Sequence, residues 1–384
     1  MKKYILVCQV TRSLVIDIVN AMVRKGAHVI LFSSVLEEGS VKLHESVEVN
    51  LFGSYSHVSR SMKLYYWTTF TIRSFFKVLC RSKDHELVII STPPFSQFIG
   101  LLMSKIRKQR FHLIIWDLYP DVFVNLRWLS NRSLIYRIWS RLNTSSFYYS
   151  SSLITIAESM SKAICRYTIR EPNIIYNWVS DENIAPVSRP SNKFVLKHNL
   201  VNDFVVMYSG NMGLTHNMEL IVACAERLNA ESGIKFVLIG NGMKRQWIEQ
   251  QKTSRNLSNM LVLDFQDQSI FPHAIAAADI NIVTLSPGAE SVSVPSKTYS
   301  ILAAGSCVLA LSSKESELSS LIERHQCGRN FEGDDLDNVS AFILELKGNA
   351  RLCGQFKKNA SMAAKCYTKE NAVRYADLLM DYSL

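Results

Sequence analysis

Short apolar runs alternate along this chain with stretches in which apolar residues recur every three to four positions. In the first half the runs are Tyr4–Cys8, Ala27–Phe32, Leu87–Ser91, Phe111–Trp116 and Ser152–Ile156. Between the first two, Val15, Ile18, Val19, Met22 and Val23 share one helical face, and Gly26 follows as a stop. A second helix is predicted from Phe95 to Lys108. The alternation predicts a parallel sheet with helices on both faces. It lapses between Asp181 and Asn202, where Pro186, Pro190 and mixed polar residues follow no period, which suits a linker. It then restarts with Phe204–Tyr208, Lys235–Ile239, Leu261–Leu263, Asp279–Val283 and Val308–Leu311. The stretch Asn359–Leu384 reads as helical and is expected to pack back across both halves. The expected fold is α/β, with two doubly wound Rossmann-like domains facing across a cleft. Residues 1–185 form the first, 186–365 the second, and 366–384 a helix packed toward the first. A length of 384 residues fits two domains of roughly 100–200 residues each.

Composition narrows this picture. Hydrophobic residues make up 48% and charged residues 20%, which excludes a disordered chain. The eight cysteines are scattered without a CxxC pair and read as buried free thiols in a reducing compartment. The opening MKKYILVCQVTRS is too short in its apolar run for a signal segment, and no run of about eighteen apolar residues occurs. A cytoplasmic protein is expected. Its net charge of +10 asks for a partner. Two stretches lack acidic residues, Val49–Lys83 and Val122–Ala157. Their bases (Arg60, Lys63, Arg73, Lys77, Arg81 and Lys83; Arg127, Arg132, Arg137 and Arg141) are interleaved with Tyr, Trp and Phe. That mixture suits anionic lipid headgroups, so segments 60–83 and 122–150 are expected to lie on the inner face of a plasma membrane. No nucleic-acid-binding module accompanies the charge, and nucleic acid is not expected as a partner.

The chemistry is expected after the strands of the second half. Phe204–Tyr208 runs into SGNMGLTHNMEL, so Gly210 and Gly213 bracket a tight turn, with Asn211 between them. Lys235–Ile239 runs into GNGMKR, where Gly240 and Gly242 form a second turn followed by Lys244 and Arg245. Glycines there let backbone N–H groups approach a diphosphate at a helix start. In PGAESVSVPSKTYSILAAG, Pro295 suits a first helical turn and Ser293 a cap, so the Ser296 and Lys297 amides and the Lys297 ammonium would face that diphosphate. Asp117, ending the run Phe111–Trp116, could orient an acceptor or take its proton, and equally could cap a helix. His216 is the one histidine near the turns, and a lone histidine is more often structural.

The set YSGNMG, LIGNG, AAADI and PGAES…VPSKTYSILAAG resembles the donor domain of glycosyltransferase family 4, in its bacterial O-antigen and capsule branch. STPP (Ser91–Pro94), WDLYPD (Trp116–Asp121) and IYNWVS (Ile175–Ser180) resemble that branch's acceptor domain. The resemblance implies a GT-B fold, a nucleotide-diphosphate sugar donor, retention of configuration, and neither a bound metal nor a cofactor. It further implies a UDP-linked N-acetylated sugar as donor and a polyprenyl-diphosphate-linked saccharide as acceptor. The family's two glutamates, eight positions apart, correspond here to Val292 and Ser300. Glu290 could serve as the sugar-contacting carboxylate, and Ser300 could still bond a ribose hydroxyl. The family's basic pair after the first donor glycine is replaced by Asn211 and Thr215–His216, so diphosphate neutralisation would rest on Lys297, with Lys244 second. Two other readings fit parts of the sequence. One is a UDP-sugar epimerase of the same architecture, suggested by the altered glutamates; the other is a non-catalytic basic protein binding lipid or nucleic acid.

Overall fold

The computed structural model describes the chain except residues 40, 54, 56–59, 126, 215, 286–294 and 382–384. It divides into an N-terminal unit, Met1–Ser180 with Lys369–Leu384, and a C-terminal unit, Asp181–Thr368.

The N-terminal unit holds a seven-stranded sheet. Its strands are β1 (Lys3–Val7), β2 (His28–Ser33), β3 (Glu48–Leu51), β4 (Glu86–Ile90), β5 (Phe111–Ile115), β6 (Leu153–Thr155) and β7 (Asn173–Ile174). They are all parallel, in the order β3-β2-β1-β4-β5-β6-β7. The central strands are buried on both faces, from Tyr4, Ile5 and Leu6 to Ile114 and Ile115, which is why they read as unbroken apolar runs. Strand β3 escaped the pattern because it is an edge strand, with Val49 and Leu51 exposed. Helix Ser13–Arg24 buries Val15, Ile18, Val19 and Met22 against this sheet and ends before Gly26, whose φ of +85° a glycine adopts without cost.

The C-terminal unit repeats the plan with six parallel strands: β8 (Phe204–Ser209), β9 (Ile234–Ile239), β10 (Met260–Leu263), β11 (Ile280–Thr284), β12 (Cys307–Leu311) and β13 (Gly328–Phe331). Their order is β10-β9-β8-β11-β12-β13. Both sheets therefore carry the Rossmann strand order. Strand β13 (GRNF) lacks an apolar run, so only its pairing with β12 reveals it.

Three local expectations change. Residues 181–202 contain a 3-10 turn at Arg189–Ser191 and a helix at Lys193–Lys197, with Phe194 and Val195 in the C-terminal core. The boundary falls at 180/181 rather than 185/186, because buried Asp17 accepts bonds from Trp178 Nε1 (2.9 Å) and Ser180 Oγ (2.8 Å), while Pro186 lies against Gly305. The last stretch is two helices. Ala350–Ala364 belongs to the C-terminal unit, and Glu370–Met380 packs on Ser13–Arg24, adding Ala372, Tyr375, Ala376 and Leu379 to the N-terminal core. Tyr367 interrupts them. It is buried against Tyr299 (ring centroids 4.9 Å) and bonded to His325 Nε2 (2.9 Å), which puts the boundary at 368/369 rather than 365/366. All eight cysteines are free, but Cys80, Cys165 and Cys366 are exposed, so the expectation of buried thiols holds for five.

Asp17 gives a first prediction. Asp17→Ala strands the Trp178 indole N–H in the interior, and urea unfolding should show a loss of about 1–3 kcal/mol.

Candidate active site

The strand order of the C-terminal sheet reverses between β8 and β11, and ligands of such sheets bind beyond the carboxyl ends at that point. Strand β8 delivers Gly210 there, β9 delivers Gly240 and Gly242, and β11 ends on Thr284. The two glycine turns are packed against each other. A Cβ on Gly240 (φ +142°) would lie 1.9 Å from the Gly210 carbonyl oxygen, and one on Gly242 (φ +148°) 2.6 Å from that of Met212. Gly213 is close behind, where a Cβ would come within 2.9 Å of Asn211 Nδ2.

This packing already engages four of the turn amides. Gly210 N donates to Ile239 O (2.9 Å), Gly240 N to Leu263 O (2.9 Å), Met212 N to Asn241 O (2.8 Å) and Gly242 N to Asn241 Oδ1 (2.8 Å). These donors extend the sheet past its strands and are spent. The glycines serve backbone-to-backbone approach, which clears ground for a side chain instead.

That side chain is Lys297. Its Nζ lies 4.1 Å from the centroid of the Tyr208 ring and 3.4 Å from where a Gly210 Cβ would be. No carboxylate pairs with it among the described residues. The residue keeps some solvent-facing surface, but burial of the ammonium pulls its pKa down to about 7. A cation held in this way, without a carboxylate among the described residues, is poised for an anion. The helix here is Lys297–Ala303, two residues later than expected, with Ser296 at its N-cap and exposed. Beyond those two residues Thr298 N donates to Pro295 O (2.9 Å) and Tyr299 N to Ser296 O (3.2 Å). Ser300 is half-buried on that helix. Glu290 and Ser293 lie outside the described residues.

Lys244 is already engaged. Its Nζ donates to His216 O (2.8 Å) and pairs with Glu219 (2.7 Å), so its charge is compensated within the protein. His216 is tied in as well, its Nδ1 standing 3.0 Å from the Tyr208 hydroxyl and 2.8 Å from Thr284 Oγ1. The Tyr208 hydroxyl also donates to Asn211 O (2.6 Å). Sequence reasoning passed over Tyr208 and Thr284, because each looks like one more residue of a buried strand. Beside this network a cavity of about 340 Å³ is lined by His216, Asn217, Lys244, Leu285, Leu311–Ser313 and Glu332 among others.

Asp117 belongs to the N-terminal unit, just past β5. It accepts from Thr92 Oγ1 (3.2 Å), its own amide donates to Ser91 Oγ (3.1 Å), and burial holds its pKa above the usual aspartate value. No cation pairs with it among the described residues, so it is a carboxylate available for a proton. The motifs STPP and WDLYPD thus meet at one place, at the ends of β4 and β5. No group of three or more His, Cys, Asp or Glu is placed to hold a metal among the described residues.

No protein-family model matches the chain. It is 27% identical over 281 residues to the probable glycosyltransferase WbjE of Pseudomonas aeruginosa, covering 70% of this chain and 68% of that one. It is 24% identical over 271 residues to the putative colanic acid biosynthesis glycosyl transferase WcaI of Escherichia coli (strain K12), covering 68% and 66%. These matches span about two thirds of the relatives' own length. The fold superposes on Anabaena Alr3699/HepE in complex with UDP-glucose with a TM-score of 0.69, covering 97% of this chain and 98% of that one at 16% identity.

Its fold is the GT-B fold of two Rossmann-like domains, and the relatives it resembles carry glycosyltransferase names. The family-4 resemblance carried by its glycine turns and PSK segment is thereby supported over most of the chain, as is the expectation of a transferase. In this glycosyltransferase the two units carry separate candidate chemistry. Lys297 is the candidate cation in the C-terminal unit, and Asp117 the candidate carboxylate in the N-terminal one.

Proposed function

We propose that this glycosyltransferase moves a sugar, of the N-acetylated hexosamine type, from a UDP-sugar to a polyprenyl-diphosphate-linked saccharide during surface-polysaccharide assembly, with retention of configuration and without a metal. The observation that carries the proposal is Lys297, a cation without a carboxylate partner among the described residues, suspended between Tyr208 and Gly210 at the strand ends. Departure of the leaving group puts new negative charge on a diphosphate, and a preorganised ammonium stabilises that charge more in the transition state than in the ground state. Asp117 would accept or orient the acceptor hydroxyl's proton. HepE's complex with UDP-glucose and WcaI's name in colanic acid biosynthesis are consistent with donor and pathway. The test offers a panel of radiolabelled UDP-sugars together with a polyprenyl-diphosphate saccharide fraction. Transfer from at least one donor is expected, and no transfer across the panel would remove the proposal.

A peripheral seat on the membrane is part of the reading. No helix among the described residues is long and apolar enough to cross a bilayer. In the N-terminal unit, helix Arg60–Leu79 packs beside Gln97–Arg107, which packs beside Leu134–Tyr149. The expected aromatics divide: Phe70, Trp139 and Phe147 are core, while Tyr65, Phe76, Tyr148 and Tyr149 are exposed. The structure adds aliphatic side chains the charge count did not single out: Leu102, Ile106, Leu134, Ile135, Ile138 and Leu142, all exposed. Exposed Lys105, Arg137 and Arg141 stand among them, and Lys105 Nζ sits 3.3 Å over the Tyr149 ring. Apolar side chains that can enter the acyl boundary, beside cations that meet headgroup phosphate, support a monolayer-docking face. Reversing three charges (Lys105→Glu, Arg137→Glu, Arg141→Glu) should weaken sedimentation with phosphatidylglycerol vesicles by at least about 100-fold at low salt, at about 1 kcal/mol per basic residue. Unaltered sedimentation would exclude this face.

A further inference from the structure

We infer that His216 is a recognition residue for the donor, presenting an unprotonated Nε2 into the adjacent cavity as an acceptor for a hydroxyl of the nucleotide sugar. The inference rests on the donor-binding reading above and adds a residue and a polarity to it.

The polarity follows from counting protons. A carbonyl can only accept, so the Tyr208 hydroxyl spends its single proton on Asn211 O at 2.6 Å. Toward His216 that oxygen can then act only as an acceptor. Its 3.0 Å approach to Nδ1 is a hydrogen bond only if Nδ1 carries the proton. Thr284 Oγ1, 2.8 Å from the same nitrogen, shares that proton. The alternative, Thr284 donating to a bare Nδ1, would set two lone pairs against each other at the Tyr208 contact. A neutral imidazole protonated on Nδ1 has its lone pair on Nε2. That nitrogen has no partner among the described residues, and His216 is one of the residues lining the cavity.

The surroundings keep the ring neutral. Burial is the largest influence, and the charges of Lys297 and Lys244 add to it, all pushing the imidazole below its usual range. Two carboxylates line the cavity, Glu219 and Glu332, and Glu332 is spent on Lys314 (3.7 Å). Glu219 is spent on Lys244. An acceptor set among donors is what a sugar or ribose hydroxyl requires, whereas phosphate, itself an acceptor, is left to Lys297.

Two measurements test this. In the unliganded protein, nitrogen-15 shifts of the His216 ring should show a pyridine-like Nε2 and a pyrrole-like Nδ1, and the reverse assignment would overturn the inference. Calorimetric titration of UDP and UDP-glucose should then show that His216→Phe binds about 10-fold more weakly. His216→Gln, whose amide oxygen can occupy the Nε2 place, should stay within about threefold of the wild type. A Phe effect already present with UDP assigns the contact to the ribose, and one seen only with UDP-glucose assigns it to the hexose. Wild type and His216→Phe binding equally well would sink the inference alone. A wild type that binds neither ligand would remove the donor reading with it. Should His216→Phe fail to fold, Thr284→Val with Tyr208→Phe releases the tautomer and must weaken binding instead.

Discussion

Lys297→Ala is expected to lower sugar transfer by about 10²–10³-fold, the usual cost of one preorganised group at a developing charge. Donor affinity should fall with it, since the same ammonium meets the ground-state diphosphate. Arginine is a poor replacement, because the pocket holds a compact ammonium 4.1 Å above the Tyr208 ring rather than a broad fork. The pH dependence carries a sign. In the free protein Lys297 loses its proton as pH rises through about 7, because burial disfavours the charged form. A bound diphosphate restores the proton, so between pH 7 and the ordinary lysine range donor binding takes a proton up. Affinity should therefore decline by up to about tenfold per pH unit above 7, while Lys297→Ala shows a flat profile over the same range. A second readout separates function from folding. The unfolded chain binds this proton more tightly than the folded one, so the group costs stability below its unfolded pKa. The cost is fully present below about pH 7 and fades as pH rises from there toward the unfolded value. Lys297→Met should thus raise the melting temperature of the unliganded protein at neutral pH while abolishing transfer, as expected where stability is given up for a charged site.

Gly240→Ala should be a strongly damaging small substitution for folding. Its Cβ would stand 1.9 Å from the Gly210 carbonyl oxygen, a backbone atom that cannot swing aside, and the φ of +142° is one that L residues rarely adopt. Strained backbone and forced overpacking each cost about 1–3 kcal/mol, so the sum is about 3 kcal/mol or more in urea unfolding. Gly333→Ala is the control: it shares a positive φ (+65°) but meets nothing within 4 Å, and it should lose no more than about 1 kcal/mol. Equal losses at both sites would mean that the turn-on-turn contact carries no energy.

The comparison of these glycines shows where sequence reading stops. GNMG and GNG announced two turns at the ends of neighbouring strands, and that much was right. Their amides looked like phosphate donors, but only the register of β8 beside β9 and β10 reveals that Ile239 O, Leu263 O and Asn241 O already take them. Lys297 was named from the PSK segment, yet only the fold shows that no carboxylate among the described residues pairs with it and that Glu219 goes to Lys244 instead. Tyr208 and Thr284 carried no signal, since a hydroxyl at the end of a strand reads as one more half-apolar position.

What the sequence by itself determined was the class of molecule. Continuous apolar runs spaced by helical stretches can bury both faces only as parallel sheets between helices, and the glycine turns after two of those runs marked the carboxyl end of the second sheet. What only the tertiary structure decided was the electrical state of the site: which amides were spent, which lysine was neutralised and which hydroxyls face the His216 ring. The physical reason is that periodicity is a property of neighbours along the chain. Charge, tautomer and pKa are set by neighbours across it, here 28 residues apart for Lys244 and His216 and 68 for His216 and Thr284.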